Sequence, residues 1–249
     1  MQERIEKVYY FNRKEFLLLL WLGGARNLYS FPLPKKEDFG KKDFLQGIYA
    51  LSKGGFLRTE GGFALSVEME RLIGHISTVK LALTILPAAE LPQKICYLSA
   101  KYAVVVELSG QRDVFRITGK PLTGFLEELF PEDGACIADE EEGLRMEKYH
   151  ACFSAERKKI LAQEKALAEK DFLAWAQREQ LQSAWEFFDA EQKSCIRRIL
   201  FLEGFMNTWV LEQSGRDTRL HYDSLQFRER IRRFIRKCVA EEKKGRNAN

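Results

Sequence analysis

The sequence lacks the residues and spacings from which catalytic and metal sites are usually built. Its three histidines, His75, His150 and His221, have no neighbour at a metal-ligand spacing and no evident partner for acid-base chemistry. Neither Gly-x-Gly-x-x-Gly nor Gly-x-x-x-x-Gly-Lys occurs, so no phosphate-cradling loop is indicated. We therefore expect no catalytic residue, no metal site and no cofactor, and we predict that the protein is not an enzyme.

Cysteine pairs and long apolar runs are absent as well. The five cysteines are odd in number, widely spaced and without a Cys-x-x-Cys pair. This favours neither a disulfide framework nor a zinc site and predicts a reduced, cytoplasmic setting. The most apolar run, Phe16 to Leu22, is much shorter than the ~20 residues that cross a bilayer. Because the chain begins with charged residues, we expect neither a signal peptide nor a membrane span.

What the chain does have is enough apolar surface for one sizeable core. Of its 249 residues, 45% are hydrophobic and 12% aromatic. The length permits one large domain or two small ones, and we predict a single domain over 1–249. The net charge of +4 is mildly basic and does not by itself indicate nucleic acid. The periodicity divides the chain into subregions 1–78, 79–131, 144–190 and 194–242.

The first subregion has the order strand, helix, helix, hairpin, helix. Asn12 and Glu15 have the spacing of a capping box, which predicts a helix through the leucine run that follows. Paired glycines, Gly23-Gly24 and Gly54-Gly55, end this helix and the next, and a hairpin turns at Gly61-Gly62. Two helices followed by a hairpin predict a winged-helix-like segment.

From Val79 the pattern becomes that of strands, and the helix Leu122–Phe130 closes this unit. The acidic stretch that follows is predicted to be a solvated loop. No proline or glycine occurs between Gly143 and Gly204, and the run from Ser154 is rich in Ala, Glu, Lys, Gln and Leu. Subregion 144–190 is therefore predicted to be a long helical insertion, either one bent helix or two that join near Gln180.

A short phrase recurs in the two β-rich subregions. Glu107–Asp113 returns, one residue shorter, as Glu212–Asp217, and in both places a strand and an amphipathic helix follow. We predict an α+β fold with a duplicated, mainly antiparallel central sheet flanked by helices, in which 94–130 and 195–235 are related by a two-fold axis. In this prediction turns fall at Ser109-Gly110 and Ser214-Gly215, Phe115 corresponds to Leu220, and Phe125 or Leu126 corresponds to Ile231.

No chemical motif accompanies the repeat, which points to a surface for holding a partner. Aromatic anchors dominate such surfaces, and the predicted partner-binding residues are Trp175, Trp185, Phe188, Phe205 and Trp209. Core positions are the alternative for them, because large aromatic side chains mostly bury. The basic residues of the last helix are interpreted as the solvated face of an amphipathic helix, with phosphate contact as the alternative.

Residues 13–86 resemble the EspG family. The resemblance is carried by EFLLLLWLGG, the FPLP loop, IYALSKGGFL, the hairpin TEGGFALS and a helix leading into VKLALTIL. Members of this family are cytosolic chaperones of type VII secretion, described as a pseudo-two-fold central sheet flanked by helical bundles. The resemblance implies a cytoplasmic chaperone that covers the apolar tip of a helical secretion substrate before export. The helical segment from Ser154 and the arginine-rich last helix depart from the mycobacterial members.

A second hypothesis treats residues 13–76 as a winged helix that binds DNA. Its recognition helix would be Lys41–Lys53, which carries large apolar groups and no arginine for reading guanine. Nucleic acid is therefore disfavoured as a partner, and the sequence leaves the oligomeric state open.

Overall fold

The computed structural model describes residues 7–25, 40–58, 62–87, 93–109, 114–131, 181–190, 192–203 and 208–246. These residues form an α+β structure in which helices flank a large antiparallel sheet. In chain order the elements are β1 (Lys7–Asn12), α1 (Arg13–Leu22), α2 (Lys41–Lys53), β2 (Leu57–Arg58), β3 (Ala64–Leu65), α3 (Val67–Thr78), β4 (Leu81–Pro87), β5 (Gln93–Leu98), β6 (Tyr102–Ser109), β7 (Val114–Pro121), α4 (Leu122–Leu129), β8 (Leu181–Asp189), β9 (Ser194–Glu203), β10 (Thr208–Ser214), β11 (Asp217–Tyr222) and α5 (Leu225–Arg246).

The large sheet consists of two four-stranded meanders, β4–β7 and β8–β11, placed back to back, with β1 added at one edge beside β7. Among the described strands the order is β1-β7-β6-β5-β4-β8-β9-β10-β11, and β2 pairs with β3 in a separate hairpin. The first strands of the two meanders, β4 and β8, pair antiparallel at the centre of the sheet, with Ile85 opposite Trp185. Each meander is followed by a helix, α4 after β7 and α5 after β11.

Side-chain alternation gives the sheet an apolar layer on both faces. On one face, Val104 and Val106 of β6 share a buried cluster with residues of α1, α2 and α3. On the other face, Ala103 and Val105 share a cluster with residues of α4 and α5. A third, smaller cluster lies on the second meander, on the opposite side of the sheet from α5, and no described helix covers it; its buried members are Leu202, Trp209 and Leu211.

The helix ends follow from local sequence, as predicted. Asn12 Oδ1 accepts a hydrogen bond from the Glu15 amide at 2.9 Å, and the Glu15 carboxylate accepts one from the Asn12 amide at 3.0 Å. This reciprocal pair is the capping box, and it satisfies two donors that the first turn of α1 leaves open. Gly54 follows α2, and its amide donates to the Ala50 carbonyl.

The predicted helical insertion is wrong over its last residues. Residues 181–189 were expected to belong to the helical insertion, but they form strand β8, paired with β4 on one side and β9 on the other. Pairing on both edges outweighs the helix-favouring composition of this segment, because sheet formation depends on neighbours distant in sequence. The rest of the insertion, the acidic stretch and the turn at Gly110 lie outside the described residues.

Gly119 of β7 offers a test of how tightly the sheet packs against α3. A methyl group at this position would overlap the Tyr102 hydroxyl and come within 3.1 Å of Leu72 Cδ2. The Tyr102 ring is held edge-on against His75, with 5.5 Å between the ring centroids. We expect Gly119→Ala to lower the free energy of unfolding by about 1–2 kcal/mol, measured by urea denaturation.

The matched control is Gly124→Ala in α4, where a methyl group would meet no atom within 4 Å. Because alanine is the better helix former by about 1 kcal/mol, this variant is expected to be unchanged or more stable. An equal loss of stability in the two variants would contradict the packing argument.

Candidate functional site

The predicted partner-binding aromatics do not meet on one exposed surface of the described structure. Trp209 is fully buried and Trp185 is 8% exposed. Trp185 packs on the face of α4 and α5, against Phe130 and Phe201, whereas Trp209 belongs to the cluster on the opposite face. Phe188 is half-buried against the α1–α3 layer. Trp175 and Phe205 lie outside the described residues, so a binding role for the five stays a prediction.

Exposed apolar side chains instead gather on α2. Leu45 is 56% exposed and Tyr49 is 69% exposed, and because they are four residues apart they lie on one side of the helix. The opposite side of α2 is buried through Ile48 and Leu51. We call Leu45 and Tyr49 the α2 ridge. Two further exposed apolar residues, Phe63 and Val67, lie just before and at the start of α3.

A buried carboxylate marks a second feature, between α5 and the sheet. The Glu212 side chain is 9% exposed, and Arg197 Nη1 lies 2.9 Å from its Oε1. Its Oε2 is 2.6 Å from Arg230 Nη2 and 3.2 Å from His221 Nε2. Strands β9, β10 and β11 supply Arg197, Glu212 and His221, and α5 supplies Arg230, so the cluster joins the last helix to the second meander.

Three members of the Glu212 cluster, Arg197, Glu212 and Arg230, line an open cleft of about 400 Å³. The guanidinium of Arg197 stacks on the Phe234 ring, 3.8 Å from its centroid, an arrangement that is favourable for a cation over an aromatic face. We call this site the α5 cleft; its lining residues are Arg197, Glu212, Ser214, Asp217, Arg219, Arg230, Arg233, Phe234 and Lys237.

Burial and positive charge lower the pKa values of two members of the Glu212 cluster, His221 and Arg197. Burial, and then the charge of Arg230, lower the pKa of His221, although the Glu212 carboxylate acts in the other direction. Burial likewise lowers the pKa of Arg197 despite the Glu212 carboxylate. His221 is therefore neutral at pH 7, and Arg197 and Arg230 are the cations that balance Glu212 there.

The first meander has a counterpart of this ion cluster. Glu107, the first residue of the repeated phrase, lies 2.8 Å from Arg116 Nη1 and 3.2 Å from Lys94 Nζ. Burial raises the pKa of Glu107, but the hydrogen bond from Arg116 and the charge of Lys94 outweigh it and hold the pKa below its usual range. Glu107 and Glu212 both stand two residues before the end of their strand, opposite an arginine of the next strand.

Neither the α2 ridge nor the Glu212 cluster was predicted as a site from the sequence. Glu212 opens the second copy of the repeated phrase, which is the signal that could have drawn attention to it. Its partners come from β9 and α5, and only the folded sheet brings them together. The exposure of Leu45 could not be told from the sequence, because leucine in an amphipathic helix is normally read as core.

The described residues contain no group of three or more His, Cys, Asp or Glu side chains that could hold a metal ion. Burial raises the pKa of the Cys96 thiol to about 12, and burial also raises the pKa of Cys195. Thiols with raised pKa values are poor nucleophiles at neutral pH. In the part of the chain that the structure describes, no helix is long and apolar enough to cross a membrane.

Comparison with known proteins finds matches among solved structures but none among sequences. No protein-family model matches the sequence, and no curated protein matches it. Among solved structures, the Mycobacterium tuberculosis type VII secretion system chaperone EspG5, in complex with a PE25–PPE41 dimer, matches 94% of this chain and 95% of that chain. The TM-score is 0.47 and the sequence identity is 10%. Functional conclusions for this chain therefore rest on its own residues.

Proposed function

We propose that this chain is a non-enzymatic chaperone that binds a helical partner protein, of the class that type VII secretion exports, and that it does so in the cytoplasm. The observation that carries this proposal is the α2 ridge. Two large apolar side chains on one side of a helix, each more than half exposed, form the kind of stripe against which another helix packs. The EspG-like sequence pattern of residues 13–86, which includes α2, supports the same class of function.

The predicted aromatic residues enter this proposal in two ways. Trp175 and Phe205 remain proposed anchors that contact the partner directly. Trp185, Phe188 and Trp209 would then pack within the sheet and support the surface that binds the partner. A rigid support allows a few anchor residues to provide most of the binding energy.

The DNA-binding alternative uses the same helix and predicts different chemistry for it. A recognition helix needs donors and acceptors that reach base edges. The exposed side of α2 presents Leu45 and Tyr49 beside Lys42 and Gln46 but carries no arginine, and Asp43 in its first turn pairs with Lys14 at 2.9 Å. These features favour a protein partner over DNA.

We also propose that the two meanders are copies of one ancestral unit. Three observations support it: apart from the edge strand β1, the strand order is symmetric about the β4–β8 pair, each meander ends in a helix on the same face, and Glu107 and Glu212 hold equivalent register positions. A two-fold axis perpendicular to the sheet would generate this arrangement, because such an axis leaves each face on its own side.

Replacing the α2 ridge with polar residues tests the function. The double variant Leu45→Gln/Tyr49→Gln should fold normally, because both side chains are exposed, and should lose apolar contact with a partner. We expect recovery of a small helical export substrate from the native host, measured by pull-down and quantitative mass spectrometry, to fall by about tenfold or more.

The control is Tyr10→Gln/Leu225→Gln, which removes the same two residue types from other exposed positions, 63% and 44% exposed. It should recover the substrate as well as the unaltered chain does. Recovery of ribosomal or DNA-associated proteins alone would reject the proposal. So would tight, salt-sensitive and sequence-selective gel shifts on host promoter DNA, which would favour the winged-helix alternative.

A further inference from the structure

Two basic side chains approach the same oxygen of Glu212, and one of them donates a hydrogen bond to it. Arg230 Nη2 is the donor, 2.6 Å from Oε2. His221 Nε2 lies 3.2 Å from this oxygen, but it is buried and has no hydrogen-bond partner among the described residues. A neutral imidazole carries one ring proton, whereas a protonated imidazole donates from both nitrogens. Protonation would therefore make His221 Nε2 a charged donor that competes with Arg230 for Oε2.

The charged groups around His221 come from strands β9 to β11 and from α5. Glu212 of β10 is the carboxylate that contacts it, and Arg219 of β11 and Arg230 of α5 both act on its charge. Arg197 of β9 lies 2.9 Å from the other oxygen of Glu212. The carboxylate is thus already shared by two arginines before His221 gains a proton. A further positive charge at this place has to displace one of them or repel them all.

Exposure decides which cation gives way when His221 is protonated. The Arg230 side chain is 43% exposed, so it can turn into water at small cost. The Arg197 side chain is 18% exposed, and its guanidinium is held on the Phe234 ring, 3.8 Å from the centroid. His221 is fixed in strand β11 and is 25% exposed. Arg230 is therefore the group that leaves Glu212 most easily.

We propose that His221 is a proton-sensitive switch in the contact between α5 and the second meander. When His221 is neutral, Arg230 holds Glu212 Oε2 and ties α5 to the sheet. When His221 is protonated, it takes Oε2, and Arg230 turns to solvent. The apolar side of α5 stays packed in both states, because Ile231 and Ile235 are fully buried. The switch is independent of the α2 ridge, which lies in the helical layer on the other face of the sheet.

The direction of the titration agrees with this geometry. Burial and the charge of Arg230 hold the pKa of His221 below its ordinary value of 6.5. A pKa that folding lowers gives stability that is complete above pH 6.5 and is lost as the pH falls through the lowered pKa. The coupling is reciprocal: because Arg230 disfavours the protonated form of His221, protonation must reduce the stability that Arg230 provides. Arg230 should therefore stabilise the protein less at acid pH than at neutral pH.

The test compares how far Arg230→Gln lowers the urea midpoint at pH 7.5 and at pH 5.0. At pH 7.5 the substitution removes the tie to Glu212, whereas at pH 5.0 protonated His221 has already broken that tie. We expect the loss at pH 5.0 to be at most about half of the loss at pH 7.5. In a His221→Gln background the two losses should be equal, since glutamine does not titrate.

NMR of the histidine ring protons measures the protonation of His221 directly. Its signal is identified by its disappearance in His221→Gln. We expect it to titrate within the range from pH 7.5 to 5.0 in the unaltered chain, and to titrate at higher pH in Arg230→Gln, because the positive charge beside the ring is gone.

Arg198→Gln is the matched control. Arg198 is 47% exposed and pairs at 2.7 Å with a glutamate of the neighbouring strand, Glu186, in place of Glu212, so its loss should be the same at both pH values. Equal losses for Arg230→Gln at the two pH values would overturn the proposal. So would a pH-dependent loss in the His221→Gln background, an equal decrease in the Arg198→Gln control, or a His221 ring that stays neutral at pH 5.0.

Discussion

Glu212→Ala is expected to lower the free energy of unfolding by about 2–3 kcal/mol. The variant leaves Arg197, whose side chain is only 18% exposed, without the carboxylate that balances it. It also removes the contact that ties Arg230 of α5 to the sheet. Removing one member of a buried ion pair costs more than the pair contributes, because the remaining charge stays desolvated. We place the loss below the upper range for buried pairs because Arg230 is 43% exposed.

Urea denaturation at pH 7 measures this loss, and Glu186→Ala provides the control. Glu186 pairs with Arg198 at 2.7 Å, but the arginine is 47% exposed, so this variant should lose less than about 1 kcal/mol. Glu212→Gln keeps the shape and part of the hydrogen bonding and should fall between the two. Equal stability of the Glu212→Ala variant and the unaltered chain would show that Glu212 does not hold α5 on the sheet.

Local sequence was sufficient to predict the elements that are marked by a helix cap, a glycine after a helix or alternating apolar residues. The Asn12–Glu15 capping box, the glycines after α1 and α2, and the alternating runs of β4 to β7 are all found in the structure. Each depends on residues that are close in sequence, where cap chemistry and side-chain alternation apply directly.

Strand β8 shows where this reasoning fails. Its composition favours a helix, and its register shifts near Leu181 and Phe187 interrupt the period of two that would have marked a strand. Trp185 and Phe187 do share one face, with Glu186 between them on the other. Its place at the centre of the sheet depends on pairing with β4, about a hundred residues earlier in the chain, which local propensity does not report.

The candidate sites were harder to predict than the fold, because they too depend on contacts between residues that are distant in sequence. The arginines of α5 were interpreted as a solvated face, and some do cover apolar surface: Arg232 lies over the Phe130 ring, 5.4 Å from its centroid. Others pair with Asp223 or Glu212. Whether an arginine covers apolar surface or pairs with a carboxylate depends on the side of α5 that faces the second meander. That orientation is known only from the assembled sheet.

Trp209→Ala is expected to lower the free energy of unfolding by about 3–5 kcal/mol. Its side chain is fully buried and packs with Leu202 and Leu211, so truncation removes a large apolar surface and leaves a cavity. Trp209→Phe fills most of that volume and should cost about half as much. Trp21→Ala is the comparison, because Trp21 is only partly buried beside Phe44, and it should cost about 1–2 kcal/mol.

These variants also decide between the two interpretations of Trp209 that the sequence left open. If Trp209 is a core residue, Trp209→Phe loses about half as much unfolding free energy as Trp209→Ala and binds the helical partner as the unaltered chain does. The tryptophan emission of either variant should shift to longer wavelength, because a buried indole has been removed. If Trp209 is an anchor that contacts the partner, Trp209→Ala loses the partner while its unfolding free energy stays within about 0.5 kcal/mol of the original. The full burial of Trp209 favours the first outcome, whereas Leu45 and Tyr49 of the α2 ridge are exposed and open to a partner.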